Sequence, residues 1–314
     1  EGTDPRIVAA AVRAVREGIA RITLLGEREA VRDELAAHDG LDAPVRIIDP
    51  TQAERLPAYA HAYQELRAQK KLSDELAKRL MAQPLNFAAM MVHLSDADGS
   101  LAGAVSTSAA TMRASVHIIG AAQDTEPVSS FFIMISGPDS PAGPAIRLFA
   151  DCALNALPDA RQLAGIAISS ARSARQLLGL DPKVAMLSFS TLGSARHPEV
   201  QLVREATGLA RTMAPELCIC GEIQFDAAID PAVHAQKSPS SPLEGEANVL
   251  VFPNLAAGNI GYKIAQRMGG ALAIGPVLQG LARPANDLSR GCTSDDIFRM
   301  IAVTVIQARD SEPF

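Results

Sequence analysis

The segment Pro284-Ala285-Asn286-Asp287-Leu288-Ser289-Arg290-Gly291 sets a hydroxyl, a guanidinium and a glycine side by side, ahead of a helix that carries Asp295 and Asp296. An arginine so placed can clamp a phosphate with two parallel hydrogen bonds, and a nearby carboxylate can take a proton. The competing structural reading is an aspartate cap with Arg290 on a solvated face. Two other segments follow apolar strands and mix glycine with hydroxyl or amide side chains: residues 190–196 after the strand at 183–189, and residues 254–261 after the strand at 248–252. Ligands of open parallel sheets bind beyond the carboxyl ends of the strands, so both are candidates to turn backbone N–H groups toward an anion. Gly and Ser serve equally well to turn a strand into a helix, and neither segment matches a Walker A or dinucleotide fingerprint. Residues 101–111 are rich in small side chains, which suits either a backbone that approaches a ligand or a tight packing surface. Cys292 has no histidine near it in sequence and reads as a small buried thiol rather than a nucleophile. Cys218 and Cys220 lack the second pair of a zinc site, and the six histidines are scattered, so no metal is expected.

These residues need elements to hold them. Ile7, Val8, Ala11, Val12, Val15 and Ile19 fall on one stripe and predict a helix feeding a strand at 21–25. Alternation continues with a helix at 28–37, a strand at 45–48, and helices at 52–69 and 73–81. Strands are expected at 131–135 and 146–149, then a helix at 161–178. Strand-then-helix units follow: 183–189 with 199–212, the strand 217–223, 248–252 with 261–268, and the strand 273–277. Residues 295–309 form a closing helix. Strands separated by helices imply right-handed crossovers and largely parallel sheets, an α/β fold. The Ser- and Pro-rich stretch 235–245 is expected to be an exposed loop.

A chain of 314 residues with 48% hydrophobic and 20% charged residues can bury a sizeable core, and its length suggests two α/β domains or one large one. The change in pattern near residue 127 predicts a first domain of 1–127 plus 282–314 and a second of 128–281. With 35 acidic against 29 basic residues the net charge is −6, and no basic run exceeds Lys70-Lys71, which argues against nucleic acid and anionic membranes as partners. The longest apolar stretches fall well short of the ~18 residues of a membrane span. No targeting segment is visible, so a cytoplasmic location with reduced thiols is expected.

Phe252-Pro253-Asn254-Leu255-Ala256-Ala257-Gly258-Asn259-Ile260-Gly261-Tyr262-Lys263, with Gln266-Arg267, Ile274-Gly275-Pro276, Gln279-Gly280 and the Asn286-to-Gly291 motif, resembles the phosphate acetyltransferase (phosphotransacetylase) family. Supporting segments run from Glu1-Gly2-Thr3-Asp4-Pro5-Arg6 through Met90-Met91-Val92 and Phe131-Phe132-Ile133-Met134 to Gln224-Phe225-Asp226. Glu1 is expected to fall just after the family's first strand.

The resemblance implies two three-layer α/β/α domains of isocitrate/isopropylmalate dehydrogenase-like architecture, with mainly parallel sheets and an active-site cleft between the domains. It implies a homodimer that interconverts acetyl-CoA plus inorganic phosphate with acetyl phosphate plus CoA, without a metal or redox cofactor. By motif match, Ser289 lies beside the CoA thiol, Arg290 binds phosphate and developing charge, and Asp296 is the base for the thiol. Arg67 and Arg113 match CoA-binding positions, and Arg267 matches a third arginine of the site. Leu192 stands where many relatives carry a polar or basic residue, and Ser294 where some carry an acidic one. Neither departure removes a proposed catalytic group. The alternatives are phosphate butyryltransferase, an acyltransferase that uses acyl carrier protein, a noncatalytic acetyl-CoA-sensing domain, and a metal-dependent decarboxylating dehydrogenase.

Overall fold

The computed structural model describes residues 1–123, 127–140 and 143–310. The chain divides into two compact units, Glu1–Ala122 with Leu281–Phe314, and Gln123–Gly280. The division expected at 127/128 abuts residues 124–126, which lie outside the described residues.

The first unit opens with α1 (Pro5–Arg16), capped by the Asp4 carboxylate, which accepts from the Arg6 N–H. Pro5 takes the first helical position, where its missing N–H costs nothing. The stripe of Val8, Ala11 and Val12 is buried with Leu24 of β1 (Thr23–Leu25) and Val31 of α2 (Arg28–Ala37). β1 pairs in parallel with β2 (Arg46–Ile48). A second cluster gathers Tyr59 of α3 (Leu56–Leu66), Met81 of α4 (Asp74–Met81), and Phe87 and Met90 of α5 (Pro84–His93). β3 (Ser100–Ala102) and α6 (Ser108–Ala114) follow, and α6 widens into a π-helical segment over Ser115–Ile119.

The second unit runs β4 (Ser129–Ser136), β5 (Ala145–Ala150), α7 (Ala160–Leu178), β6 (Lys183–Leu187), α8 (Pro198–Met213), β7 (Cys218–Ile223), α9 (Phe225–Ile229), α10 (Pro231–Lys237), β8 (Val249–Val251), α11 (Leu255–Arg267) and β9 (Leu272–Gln279). One six-stranded sheet has the order β7-β6-β8-β5-β4-β9. β7, β6, β8 and β5 are parallel, and β4 runs against both its neighbours. All three residues of β8 are buried, as expected for a parallel strand inside its sheet, so its sequence is a continuous apolar run rather than an alternation.

Two expectations need correction here. The helix expected at 261–268 starts earlier, at Leu255, because the Asn254 side chain caps it by accepting from the Ala257 N–H. The glycines that suggested a turn serve packing: a Cβ at Gly258 would press onto the Asp151 carbonyl, and one at Gly261 onto the Phe252 ring. The stretch 235–245 is not uniformly exposed either, since Ser238 and Leu243 are buried.

The chain returns to the first unit with β10 (Ala285–Asp287) and α12 (Ser294–Asp310), and β10 pairs in parallel with β3. The four strands among the described residues of this unit thus form two separate parallel pairs rather than one sheet. No described helix is long and apolar enough to cross a membrane.

Candidate active site

Because β3 and β10 are parallel, with Asp287 opposite Ala102, the segments that follow them leave from the same end. One is the small-residue loop Gly103-Ala104-Val105-Ser106, the other the turn Leu288-Ser289-Arg290-Gly291-Cys292. The Leu288 N–H donates to the Ala102 carbonyl at 2.7 Å and locks them together. Gly103 sits at φ +116°, and a Cβ there would collide with Asp287 and the Leu288 backbone, so this crossing requires glycine.

Ser289 and Arg290 are exposed at the tip of the turn, where the Ser289 hydroxyl accepts from the Gly291 N–H at 3.3 Å. Asp296 lies in the first turn of α12 in a reciprocal capping box. Its carboxylate accepts from the Thr293 N–H at 3.0 Å, and the Thr293 hydroxyl accepts from the Asp296 N–H at 3.2 Å. Arg299 donates to its other oxygen at 3.2 Å. Asp296 therefore has the capping role that the sequence left open beside a catalytic one. Cys292 is buried, and burial pushes its thiol pKa up, with Asp296 and Asp4 adding to the shift and Arg6 opposing it. Such a thiol is a poor nucleophile.

The structure adds groups that composition and spacing did not reveal. Both carboxylate oxygens of Asp287 are buried and, among the described residues, accept no hydrogen bond of good geometry. Burial raises its pKa from 3.8 to about 6, aided by the negative charge of Glu1, while the nearby Ser108 and Thr111 hydroxyls pull the other way. In the unfolded chain this group ionises near 3.8, so its contribution to stability is complete below pH 4 and is lost as pH rises through about 6. The stability gap between Asp287→Asn and the parent chain is expected to move in the variant's favour by about 2 kcal/mol from pH 4 to pH 7.5. Denaturant titrations at the two pH values check this, and a gap that does not change would show that Asp287 titrates normally.

Glu1 fills the small-residue loop. Its carboxylate accepts from the N–H groups of Gly103 (2.8 Å), Ala104 (2.9 Å), Val105 (3.3 Å) and Ser106 (2.8 Å). The loop is thus an anion nest occupied by the protein's own side chain, and these N–H groups are not open to a ligand.

The loop at 190–196 is likewise closed on itself, which corrects its reading as an anion cradle. The Gly193 N–H donates to the buried Glu222 carboxylate at 2.8 Å, the Thr191 N–H to the Ser194 hydroxyl and the Ala195 N–H to the Ser190 hydroxyl. Burial opposes ionisation of Glu222, yet Arg204 and the loop donors hold its pKa down at about 2.

Arg67 and Arg113 come from different elements. Arg67 ends α3 with its Nε buried and without a partner among the described residues. Arg113 is exposed on the last turn of α6. Both act on one group: partial burial and then the charges of Arg67, Lys70 and Arg113 lower the pKa of His117. The two arginines that sequence separates by 46 positions (113 − 67) thus both act, with Lys70, on His117, and the apolar stripes gave no sign of it. Arg267 is exposed at the end of α11, in the second unit.

The family described as "Phosphate acetyl/butaryl transferase" matches residues 1–305. A phosphate acetyltransferase of Paracoccus denitrificans is 49% identical over 98% of this chain and 93% of its own length. A phosphotransacetylase structure from Streptococcus pyogenes, 42% identical, superposes with a TM-score of 0.93 over 99% of this chain and 92% of that one. A 4-hydroxythreonine-4-phosphate dehydrogenase from Klebsiella pneumoniae shares the fold alone, at 12% identity and a TM-score of 0.52 over 96% of this chain and 94% of its own. A match that spans both units and includes the Ser289-Arg290 turn places the chain in the phosphate acetyl/butyryl transferase family of acyltransferases, among its phosphotransacetylases.

Proposed function

We propose that this chain transfers an acetyl group reversibly between CoA and inorganic phosphate, with Ser289 beside the thiol, Arg290 on the phosphate and Asp296 as base. The observation that carries this reading is the family match across residues 1–305 combined with the exposed Ser289-Arg290 turn at the shared end of β3 and β10. In the direction of acetyl-CoA synthesis, Asp296 takes the thiol proton and the thiolate attacks the acetyl carbonyl. A tetrahedral intermediate collapses, and phosphate leaves with the electron pair of the broken acyl–oxygen bond. A free thiol near pKa ~8.5 is mostly protonated at neutral pH, so a base lowers the barrier. Arg290 stabilises negative charge that grows on the carbonyl and leaving oxygens. We assign no redox cofactor to the step, since no atom changes oxidation state, and no metal, which the EDTA arm of the experiment below tests.

Thiol release from acetyl-, propionyl- and butyryl-CoA, with and without phosphate and with EDTA, tests the reading. Phosphate-dependent release, fastest with acetyl-CoA and unaffected by EDTA, is expected. Preference for butyryl-CoA would move the chain to the butyryl branch. Absence of turnover with tight acetyl-CoA binding would make it a sensor.

Arg67 and Arg113, with Arg267 by motif match, are assigned to CoA and phosphate. Each Arg→Ala change at 67 or 113 is expected to raise the KM for CoA about 10- to 100-fold with a smaller effect on kcat, the worth of a charge-assisted contact. An arginine that holds the 3′-phosphate should matter far less with dephospho-CoA. Equal losses with both substrates would remove that contact.

A cytoplasmic homodimer completes the proposal. Ile260, Ile264 and Met268, at successive four-residue steps of α11 and just beyond its end, are 59%, 53% and 85% exposed, an apolar stripe that a second copy would cover. The cysteines are free thiols, as a reducing compartment keeps them.

A further inference from the structure

We infer that Arg6, held by Asp4, is a positioning residue for the acyl-transfer turn: it clamps the backbone on which Ser289 and Arg290 are carried. This rests on the reading that places the chemistry at that turn. All the guanidinium N–H donors of Arg6 are used. Nε donates to the Asp4 carboxylate at 3.0 Å, and one terminal nitrogen donates to the other Asp4 oxygen at 2.8 Å and to the Ala104 carbonyl at 3.0 Å. The second terminal nitrogen donates to the Arg290 carbonyl at 2.8 Å and the Cys292 carbonyl at 3.0 Å. One side chain therefore ties both loops that leave β3 and β10, and it grips the turn on either side of Gly291.

Gly291 gives the turn backbone freedom, and the Ser289 and Arg290 side chains are exposed, so packing does little to fix them. The Cys292 N–H closes the turn on the Ser289 carbonyl at 2.9 Å, and the two Arg6 contacts to the Arg290 and Cys292 carbonyls anchor that closed turn to the rest of the unit. Preorganisation is what lets a guanidinium stabilise developing charge without first rearranging. The geometry is specific to arginine: a lysine keeps the charge but lacks the planar fork that spans one carboxylate and three carbonyls.

The experiment compares Arg6→Ala, Arg6→Lys and Asp4→Asn with Ser289→Ala and Arg290→Ala, reading kcat, the KM values for CoA and phosphate, melting temperature, and rescue by free guanidinium. Arg6→Ala and Arg6→Lys are expected to lose about 10- to 100-fold in kcat, the cost of a misplacement on the order of 1 Å, with the KM for CoA within about threefold. Free guanidinium should restore part of the turnover of Arg6→Ala, which a purely structural defect would not allow. If Arg6→Ala fails to fold, Arg6→Lys and Asp4→Asn carry the same readout. A normal kcat in the Arg6 variants alongside impaired Ser289→Ala and Arg290→Ala would overturn the clamp alone, as would a kcat loss that tracks melting temperature and resists guanidinium. Full turnover in Ser289→Ala and Arg290→Ala would overturn the placement of the chemistry, and the clamp with it.

Discussion

Asp296→Asn is expected to lower kcat by about 10²–10⁴ and leave the KM for CoA nearly intact, because an amide keeps the carboxylate's shape but cannot take the thiol proton. The structure makes this a sharper test than sequence alone allowed. Asp296 is both the third residue of α12, returning a hydrogen bond to the Thr293 N–H, and the partner of Arg299. If capping were its whole purpose, the amide oxygen would still accept from Thr293. The lost ion pair, about a third exposed on both sides, is worth only about 0.3–0.5 kcal/mol. A purely structural Asp296 thus predicts a small fall in melting temperature and normal turnover.

Thr293→Ala supplies the reciprocal control. It removes the hydroxyl that accepts from the Asp296 N–H and donates to the Asp296 carboxylate at 2.8 Å, and keeps the carboxylate and its bond from the Thr293 N–H, so it should cost about 1 kcal/mol of stability while kcat stays within a few-fold. Turnover that falls with the cap and survives Asp296→Asn would exclude the carboxylate as the base.

The order of elements in the second unit was legible because its strands and helices carry different periods. The apolar runs expected at 183–189, 217–223 and 248–252 contain β6, β7 and β8, each shorter than its run, and the stripe at 161–178 falls within α7. The start of α11 was not legible. Asn254, Gly258 and Gly261 have the composition of a turn, and only the backbone of Asp151 and the ring of Phe252 give those glycines their packing role. In the first unit the motif drew attention to Ser289, Arg290 and Asp296. The groups that support them lie far away in sequence, however. Arg6 reaches carbonyls 284 and 286 positions downstream, and Glu1 reaches N–H groups beyond position 102. Side-chain-to-backbone contacts of this range leave no periodic trace, and any residue at the accepting position offers the same carbonyl. Asp287 was visible as part of a motif, but its burial follows from how β10 and β3 come together.

Arg290→Ala is expected to lower kcat by about 10²–10³ and to raise the KM for phosphate, in line with the loss of one preorganised donor to developing negative charge. Stability should change little. The Arg290 side chain is exposed, and among the described residues no carboxylate pairs with its guanidinium. Its structural tie to Arg6 runs through the Arg290 backbone carbonyl, which alanine retains. The effect on rate is therefore separable from any effect on folding, which is seldom true of an arginine in an internal ion pair. Arg290→Lys divides charge from geometry: a point charge should recover part of kcat, while the phosphate KM stays raised because lysine cannot present two parallel N–H groups to one phosphate. Steady-state kinetics with phosphate varied at saturating acetyl-CoA, together with melting temperatures, measure both terms. If Arg290→Ala melts with the parent chain and turns over within about threefold of it, the turn at 288–292 is a surface feature, and the anion that matters binds elsewhere.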